Sequence, residues 1–194
     1  MERKAMVHDK AAEGEVGHDL FMSAALDEAR RAGEKEEVPV GAVVVCDGEI
    51  LGRGHNLREG TGDPTSHAEI VAIREAAARR GGWRLTGATL YVTLEPCIMC
   101  VGAVLQARLS SLVFGCYDPK GGACGSLYDF SDDIRLNHSF TVYGGVRGSE
   151  AAELLTRFFA RLRKGRDGTK SAPHGGDAVD VRSCGEDVGR GEFL

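Results

Sequence analysis

The stretch ATLYVTLEPCIMC, residues 88–100, decides the fold. Residues 88–94 are mostly apolar or β-branched, which is typical of a buried strand. Pro96 then opens a short apolar segment, residues 97–107. This segment predicts a helix, because proline is favoured in the first helical turn. The stretch therefore predicts a buried strand that leads directly into the start of a helix, with a pair of cysteines at that start.

Upstream of this stretch, the sequence predicts a helix and a hairpin. Apolar residues recur at helical spacing over residues 19–32. Residues 39–54, PVGAVVVCDGEILGRG, contain two β-rich runs around Asp47 and Gly48. This residue pair suits a tight turn with positive φ at both positions. We therefore expect two antiparallel strands joined by that turn.

The other predicted elements complete an alternating pattern. They are a helix from Ser66 to Gly81, a strand at 111–116, a strand at 140–143 and a closing helix at 149–164. The resulting order is α-β-β-α-β-α-β-β-α. Strands separated by helices favour right-handed crossovers and parallel pairing. The predicted fold class is α/β, a three-layer α/β/α sandwich with a five-stranded mixed sheet.

Both termini lack this periodicity. Residues 1–17 are polar, and residues 165–194 are rich in glycine and in alternating charges. Ordering such segments carries an entropic cost that few apolar side chains are there to offset. We therefore expect disordered extensions at 1–17 and 165–194 around one folded domain at 18–164.

Charge and hydropathy narrow the classes of function. The chain has 24 basic and 29 acidic residues and a net charge of −5, so it lacks the basic footprint of general nucleic-acid binding. A local basic face at Arg157, Arg161 and Lys164 can contact phosphates, or can simply be solvated. No apolar stretch is long enough to span a membrane, and residues 1–15 lack the apolar core of a secretory signal. We expect a cytoplasmic protein without a membrane partner.

The cysteines indicate a metal or redox site and no disulfide framework. Of the six, only Cys97 and Cys100 have the short spacing of such sites. Thiols three residues apart share a helical face, and a helix N-terminus lowers the thiol pKa. His67, at the start of the preceding predicted helix, can add a nitrogen ligand. Three protein ligands leave the fourth tetrahedral position of zinc open to water, as in catalytic sites.

Glu69 can complete a hydrolytic site. If the helix N-terminus points at the metal, His67 can bind it while Glu69 exchanges protons with a water molecule there. Each feature also has an ordinary alternative. Ser66 and Glu69 match a capping box, and the cysteine pair alone suits a redox centre or half of a structural zinc site. Further ligands for a structural site would have to come from scattered positions, namely His55, Cys116, Cys124 and His138.

His-x-Glu followed by Pro-Cys-x-x-Cys is the signature of zinc nucleobase deaminases. A longer resemblance covers residues 18–164. It is carried by EVPVGAVVV (37–45), GHN (54–56), DPTSHAEI (63–70), ATLYVTLEPCIMC (88–100), FGCYDPKGGACGSL (114–127) and LNH (136–138). In this order, these segments closely resemble the bacterial tRNA-specific adenosine deaminases of the cytidine deaminase-like superfamily. The long N-terminus and the Gly-rich tail depart from that pattern.

The resemblance implies a site and a reaction. One zinc ion per subunit is held by His67, Cys97 and Cys100, and Glu69 donates and accepts the protons. The residues implied to bind the substrate nucleotide are Asn56, the backbone of Ala68, Asp118 and Lys120. The implied substrate is an adenosine in the anticodon loop of a tRNA, an arginine tRNA in particular, which becomes inosine. A homodimer is also implied, for which the apolar segment 98–105 offers an interface.

Three alternatives stay open at this point. Asn56 on its own also suits a turn at the end of a strand. A deaminase of a free nucleobase or nucleoside, such as guanine or cytosine, would share the fold and the metal chemistry. A catalytically silent deaminase-like subunit is the third, but the presence of Glu69 argues against it.

Overall fold

The structure, a computed structural model of the chain, describes residues 15–167. Within this range the chain forms five helices and five strands. These are α1 (Glu15–Glu34), β1 (Gly41–Cys46), β2 (Glu49–His55), α2 (Arg58–Thr61), α3 (Ala68–Arg80), β3 (Thr89–Leu94), α4 (Ile98–Ala107), β4 (Ser111–Cys116), β5 (Thr141–Tyr143) and α5 (Gly148–Asp167). The expectation of disorder at 1–14 and 168–194 lies outside the described residues. Residues 15–17 and 165–167, placed in the extensions by the sequence, continue α1 and α5.

The five strands form one mixed sheet in the order β2-β1-β3-β4-β5. Strand β1 runs antiparallel to both β2 and β3, whereas β3, β4 and β5 are parallel. Successive side chains of β1 point to opposite faces. Ala42 and Val44 therefore enter one core with α3 and α4, and Val43 and Val45 enter a second core with α1 and α5. The predicted α/β/α sandwich with a five-stranded mixed sheet is confirmed.

Most predicted elements are present within a few residues of their expected bounds. Asp47 and Gly48 have φ of 51° and 79°, so the predicted hairpin turn is confirmed. Two details differ. Helix α2 was not predicted, because its four residues bury no side chain and leave no hydrophobic periodicity. Helix α3 begins at Ala68, with His67 and not Ser66 as its N-cap.

The sheet direction brings the polar residues that follow three strands to one edge. Because β1 is antiparallel to both of its neighbours, β2, β3 and β4 all run the same way. Asn56 follows β2, Glu95 follows β3, and the loop that carries Asp118 follows β4. Ligands of open α/β sheets bind at the carboxyl edge of the strands. This edge is therefore where a functional site is expected.

A glycine at the end of β2 sets the position of α3. A Cβ atom at Gly54 would lie only 2.2 Å from the backbone oxygen of Ala68. Glycine alone lets the strand approach the first turn of the helix this closely. The contact holds the start of α3 against the end of β2, beside Asn56.

Candidate metal centre

Three predicted ligands converge at the starts of two helices. His67 is the N-cap of α3, Cys97 is the N-cap of α4, and Cys100 lies in the first turn of α4. The imidazole Nδ1 of His67 is 3.8 Å from Sγ of Cys97 and 3.6 Å from Sγ of Cys100. All three ligand atoms lie within 4.8 Å of one another. The structure therefore brings together the side chains that the sequence placed around one ion.

The spacing of these atoms fits tetrahedral zinc. Zn–S bonds of about 2.3 Å and Zn–N bonds of about 2.0 Å at a tetrahedral angle put sulfur and nitrogen about 3.5 Å apart. The two S–N distances in the structure, 3.6 and 3.8 Å, are close to this value. Three protein ligands on one side leave the fourth direction for a water molecule or substrate. The donor set and its geometry are those of a catalytic zinc centre.

The other candidate ligands of a structural zinc site lie elsewhere. Within residues 15–167, His67, Cys97 and Cys100 are the one group of at least three such side chains with metal spacing. His55 instead pairs with Glu28, and His138 contacts the backbone oxygen of Leu109. Cys116 donates to the backbone oxygen of Thr93, and Cys124 is buried in the core. The structure thus supplies no fourth protein ligand from these positions.

The pKa values of the three converging side chains are linked through the hydrogen bonds between them. A hydrogen bond from Cys100, with burial opposing it, lowers the pKa of Cys97 to about 4. The hydrogen bond with Cys97, together with burial, raises the pKa of Cys100. Cys100 therefore keeps its proton and is the donor of this hydrogen bond. The hydrogen bond with Cys97 also raises the pKa of His67. Metal ligands must be deprotonated, so binding of zinc here releases protons.

Glu69 lies in the first turn of α3 and is 4% exposed. Burial raises the pKa of its carboxyl group, and the nearby His67 and its own backbone N–H act in the opposite direction. The capping-box interpretation is wrong, because both groups of Ser66 that it needs are bonded to Asp63: the hydroxyl donates to the Asp63 carboxylate at 2.9 Å, and the backbone N–H donates to the Asp63 backbone oxygen at 3.2 Å. The Glu69 carboxyl lies beside the metal cluster, where it meets its own backbone N–H and the thiol of Cys100.

Asn56 directly follows β2 and is buried. Its Nδ2 donates to Oε2 of Glu37 over 3.2 Å, and its backbone N–H donates to Val40. The side chain is 6% exposed, which an asparagine serving only as a turn would not require. Ala68, by contrast, offers only its backbone here, since its methyl group is fully buried in the core.

The loop after β4 is folded around a second buried carboxylate. Glu95 is 2% exposed and accepts the backbone N–H groups of Asp118, Cys124 and Ser126, each over 3.0 Å. A Cβ atom at Gly122 would lie 2.3 Å from this carboxylate, so the loop can wrap it only with glycine there. Glu95 thus fixes the loop against the start of α4.

Within that loop, Asp118 and Lys120 have different environments. The Asp118 carboxylate is nearly buried and accepts the backbone N–H groups of Lys120 and Gly121, at 3.0 and 3.1 Å, which closes a tight turn. The Lys120 side chain is exposed. The geometry gives Asp118 a role in shaping the loop and leaves the Lys120 ammonium group at its surface.

Sequence reasoning missed Glu37 and Glu95 as parts of the site. Both lie inside the motifs quoted above, next to apolar runs, which was the available signal. Charged residues are seldom fully buried unless they are paired or hydrogen-bonded. Their partners here are N–H groups of segments distant in the sequence, and no spacing rule reveals those.

Helix α5 carries the basic face that the sequence predicted. Arg157, Arg161 and Lys164 are exposed, Arg157 pairs with Glu153, and Arg161 donates to the backbone oxygen of Gly33 over 3.4 Å. Arg157 and Arg161 border a groove of about 340 Å³ between α1 and α5. The face can meet phosphates or remain solvated, and its contacts are consistent with both.

Comparison with known proteins places this geometry in a class. The profile of the cytidine and deoxycytidylate deaminase zinc-binding region matches residues 16–116, which include the three converging side chains and Glu69. The fold and the metal cluster thus define a zinc-binding deaminase domain.

Curated relatives define the family more narrowly. A tRNA-specific adenosine deaminase of Bacillus subtilis (strain 168) is 51% identical over 146 residues, which cover 75% of this chain and 91% of the relative. A protein of the same name from Agrobacterium fabrum is 49% identical over 74% of this chain and 94% of its own length. The chain belongs to the family of tRNA-specific adenosine deaminases.

Solved structures agree with this assignment. A chain from studies of A-to-I editing by tRNA:A34 deaminases at the wobble position of transfer RNA is 49% identical, with a TM-score of 0.68 over 70% of this chain and 99% of its own. A guanine deaminase of Nitrosomonas europaea shares the fold at 22% identity and a TM-score of 0.62, over 82% of this chain and all of its own.

No helix in residues 15–167 has the length and apolar character needed to cross a bilayer.

Proposed function

We propose that this chain converts adenosine to inosine at the wobble position of a tRNA anticodon by zinc-dependent hydrolysis. The observation that carries the proposal is the convergence of His67, Cys97 and Cys100 with zinc spacing, next to the buried Glu69. The sequence identity to tRNA-specific adenosine deaminases over most of the chain supports tRNA as the substrate.

In this proposal His67, Cys97 and Cys100 hold one zinc ion. The ion, when bound, activates a water molecule for attack on C6 of the adenine. Glu69 accepts a proton from that water and delivers it to N1 of the ring; it then passes the proton of the hydroxyl added at C6 to the amino group, so that the C6–N bond breaks, ammonia leaves and the C6 carbonyl of inosine forms. The buried position of the Glu69 carboxyl, in the first turn of the helix that His67 caps, supports this division of roles.

The substrate base is proposed to enter at the carboxyl edge of β2, β3 and β4. Asn56 and the backbone of Ala68 lie on the β2 side of that edge and contact the base. Asp118 and Lys120 lie on the β4 side, in the turn that Asp118 closes, and in this proposal they contact the nucleotide. A base in the anticodon loop must be flipped out of its stack to reach such a site.

The remaining parts of the proposal concern partners and compartment. The basic face of α5 contacts the RNA backbone through Arg157, Arg161 and Lys164. An arginine tRNA is the substrate. The enzyme acts in the cytoplasm. A homodimer is proposed through α4 and the loop after β4, because large apolar side chains are exposed there. They are Ile98, Leu127, Tyr128, Ile134 and Leu136.

A direct assay separates this function from that of a free-base deaminase. Ammonia release is measured with an arginine tRNA transcript, with the same transcript carrying guanosine in place of the wobble adenosine, and with free guanine, cytosine and adenosine. We expect turnover of the unmodified transcript alone. Turnover of guanine without turnover of the transcript would assign the chain to the free-base alternative, and no turnover of any substrate would assign it to the silent subunits.

A further inference from the structure

We propose that Glu37 is a positioning residue that fixes the amide orientation of Asn56, and so sets which hydrogen-bonding atoms the site presents to the substrate base. The inference rests on the proposed role of Asn56 in binding that base. Glu37 itself lies in the connection between α1 and β1, away from the three converging ligands in the sequence.

The contacts of Glu37 are complete within the protein. Its side chain is 1% exposed. Oε2 accepts from Nδ2 of Asn56 and from the backbone N–H of Glu59, both at 3.2 Å. Oε1 accepts from the backbone N–H of Gly60 at 2.7 Å. One buried carboxylate therefore holds the whole segment that follows β2, with Asn56 as its single side-chain partner among these contacts.

This arrangement permits only one orientation of the Asn56 amide. A carboxylate with these three donors has no hydrogen to offer, so the amide nitrogen must face it. Turning the amide over would set Oδ1 against Oε2 of Glu37, so that two acceptors would face each other with no proton between them. The backbone of Asn56 cannot compensate, because its own N–H group is bonded to Val40.

The orientation has a consequence for recognition. With one Nδ2 proton given to Glu37, Asn56 presents Oδ1 as an acceptor and one remaining Nδ2 proton as a donor, in a fixed order. An asparagine without this partner samples both orders, and only one of them matches a given edge of a purine. Glu37 thus acts on substrate discrimination through Asn56 without touching the substrate itself.

The test is a double-mutant cycle on zinc-loaded protein, with a stem-loop RNA that carries the anticodon adenosine. Glu37→Gln offers an N–H₂ group toward Asn56 and permits the flipped amide. We expect kcat/KM to fall about tenfold for Glu37→Gln and about a hundredfold for Asn56→Ala, with the double variant no worse than Asn56→Ala alone. Glu36→Gln is the matched control, because the Glu36 side chain is exposed and the residue is not among the partners of Glu37. It should match the wild type.

A rescue variant separates positioning from loop stability. Asn56→Asp sets two carboxylates against each other, whereas Glu37→Gln with Asn56→Asp restores a hydrogen bond of reversed polarity. We expect the double variant to be at least tenfold more active than Asn56→Asp, at equal zinc content. Losses that multiply in the cycle, or no rescue, would overturn the inference. Full activity of Asn56→Ala would remove the proposed role of Asn56 and this inference with it, while deamination of the stem-loop by the wild type tests the proposed function separately.

Discussion

His67 and Cys97 hold the same position in two different helices: each is the N-cap residue, and their Nδ1 and Sγ atoms are 3.8 Å apart. Neither side chain caps its own helix. Both instead point at a common centre, to which the two helix starts also contribute their partial positive charge. This charge favours the thiolate forms that bind zinc. The metal centre is therefore built at two helix starts whose N-cap side chains make no capping hydrogen bond.

Removal of zinc should abolish activity and lower stability. At free zinc about a thousandfold above Kd, binding to the folded state contributes about 4 kcal/mol to the free energy of unfolding. We expect a chelator to lower the melting temperature and stop inosine formation, and added zinc to restore both. Cys97→Ser and Cys100→Ser should lose zinc, whereas Cys46→Ser should retain it. Full activity of a metal-free protein would contradict the assignment.

Glu95→Gln should loosen the loop that carries Asp118 and Lys120. The substitution removes one of two buried oxygens that accept three backbone N–H groups. Leaving a buried donor unpaired costs about 1–3 kcal/mol. Chemical denaturation should show a loss of this size, and KM for the RNA should rise while the zinc content stays constant. Glu49→Gln, on the exposed part of β2, is the control and should change neither quantity.

Gly54→Ala should move the start of α3. The added methyl group would lie 2.2 Å from the backbone oxygen of Ala68, so strand and helix must separate. Overpacking of this kind costs about 1–3 kcal/mol. We expect weaker zinc binding, measured by competition with a chromogenic chelator, along with lower stability. Gly82→Ala has open space and should behave as the wild type. Unchanged zinc affinity in Gly54→Ala would show that this contact does not position the metal ligands.

A charge on the exposed face of α4 should disrupt the proposed homodimer. Ile98 is 52% exposed in the single chain, although it lies next to Cys97. Ile98→Asp would bury an unpaired charge in the interface, which is strongly unfavourable. Sedimentation should detect a dimer of the wild type at micromolar concentration and a monomer of the variant. Thr156→Asp, at an exposed position of α5, is the control. A monomeric wild type would remove the dimer from the account.

The sequence predicted the parts of this protein that rest on local patterns. Alternation and helical spacing located the strands, and the hairpin at Asp47 and Gly48 followed from the conformational freedom of that pair. The three candidate metal ligands were predictable because they lie at the starts of two helices, with His67 and Cys97 as N-caps and Cys100 in the first turn, and the strand order sends both helix starts to one edge. These features need only neighbours in the sequence and the topology rules of α/β sheets.

The remaining parts depend on contacts between distant segments. Glu37 and Glu95 look like ordinary charged residues in the sequence, and only the fold shows that each holds a loop through backbone N–H groups. Ser66 and Glu69 satisfy the spacing of a capping box, but the Ser66 hydroxyl donates to the carboxylate of Asp63 instead. A local motif was thus outcompeted by a neighbouring carboxylate three residues away.

The central claim is that Glu69 transfers protons at a zinc ion held by His67, Cys97 and Cys100. The most direct test is inosine formation in an arginine tRNA transcript by Glu69→Gln, with zinc counted in the same preparation. Loss of a positioned acid–base group typically lowers the rate about 10²–10⁴-fold. The account predicts one zinc per chain and a rate reduced by that factor. A variant with one zinc per chain and wild-type inosine formation would contradict it.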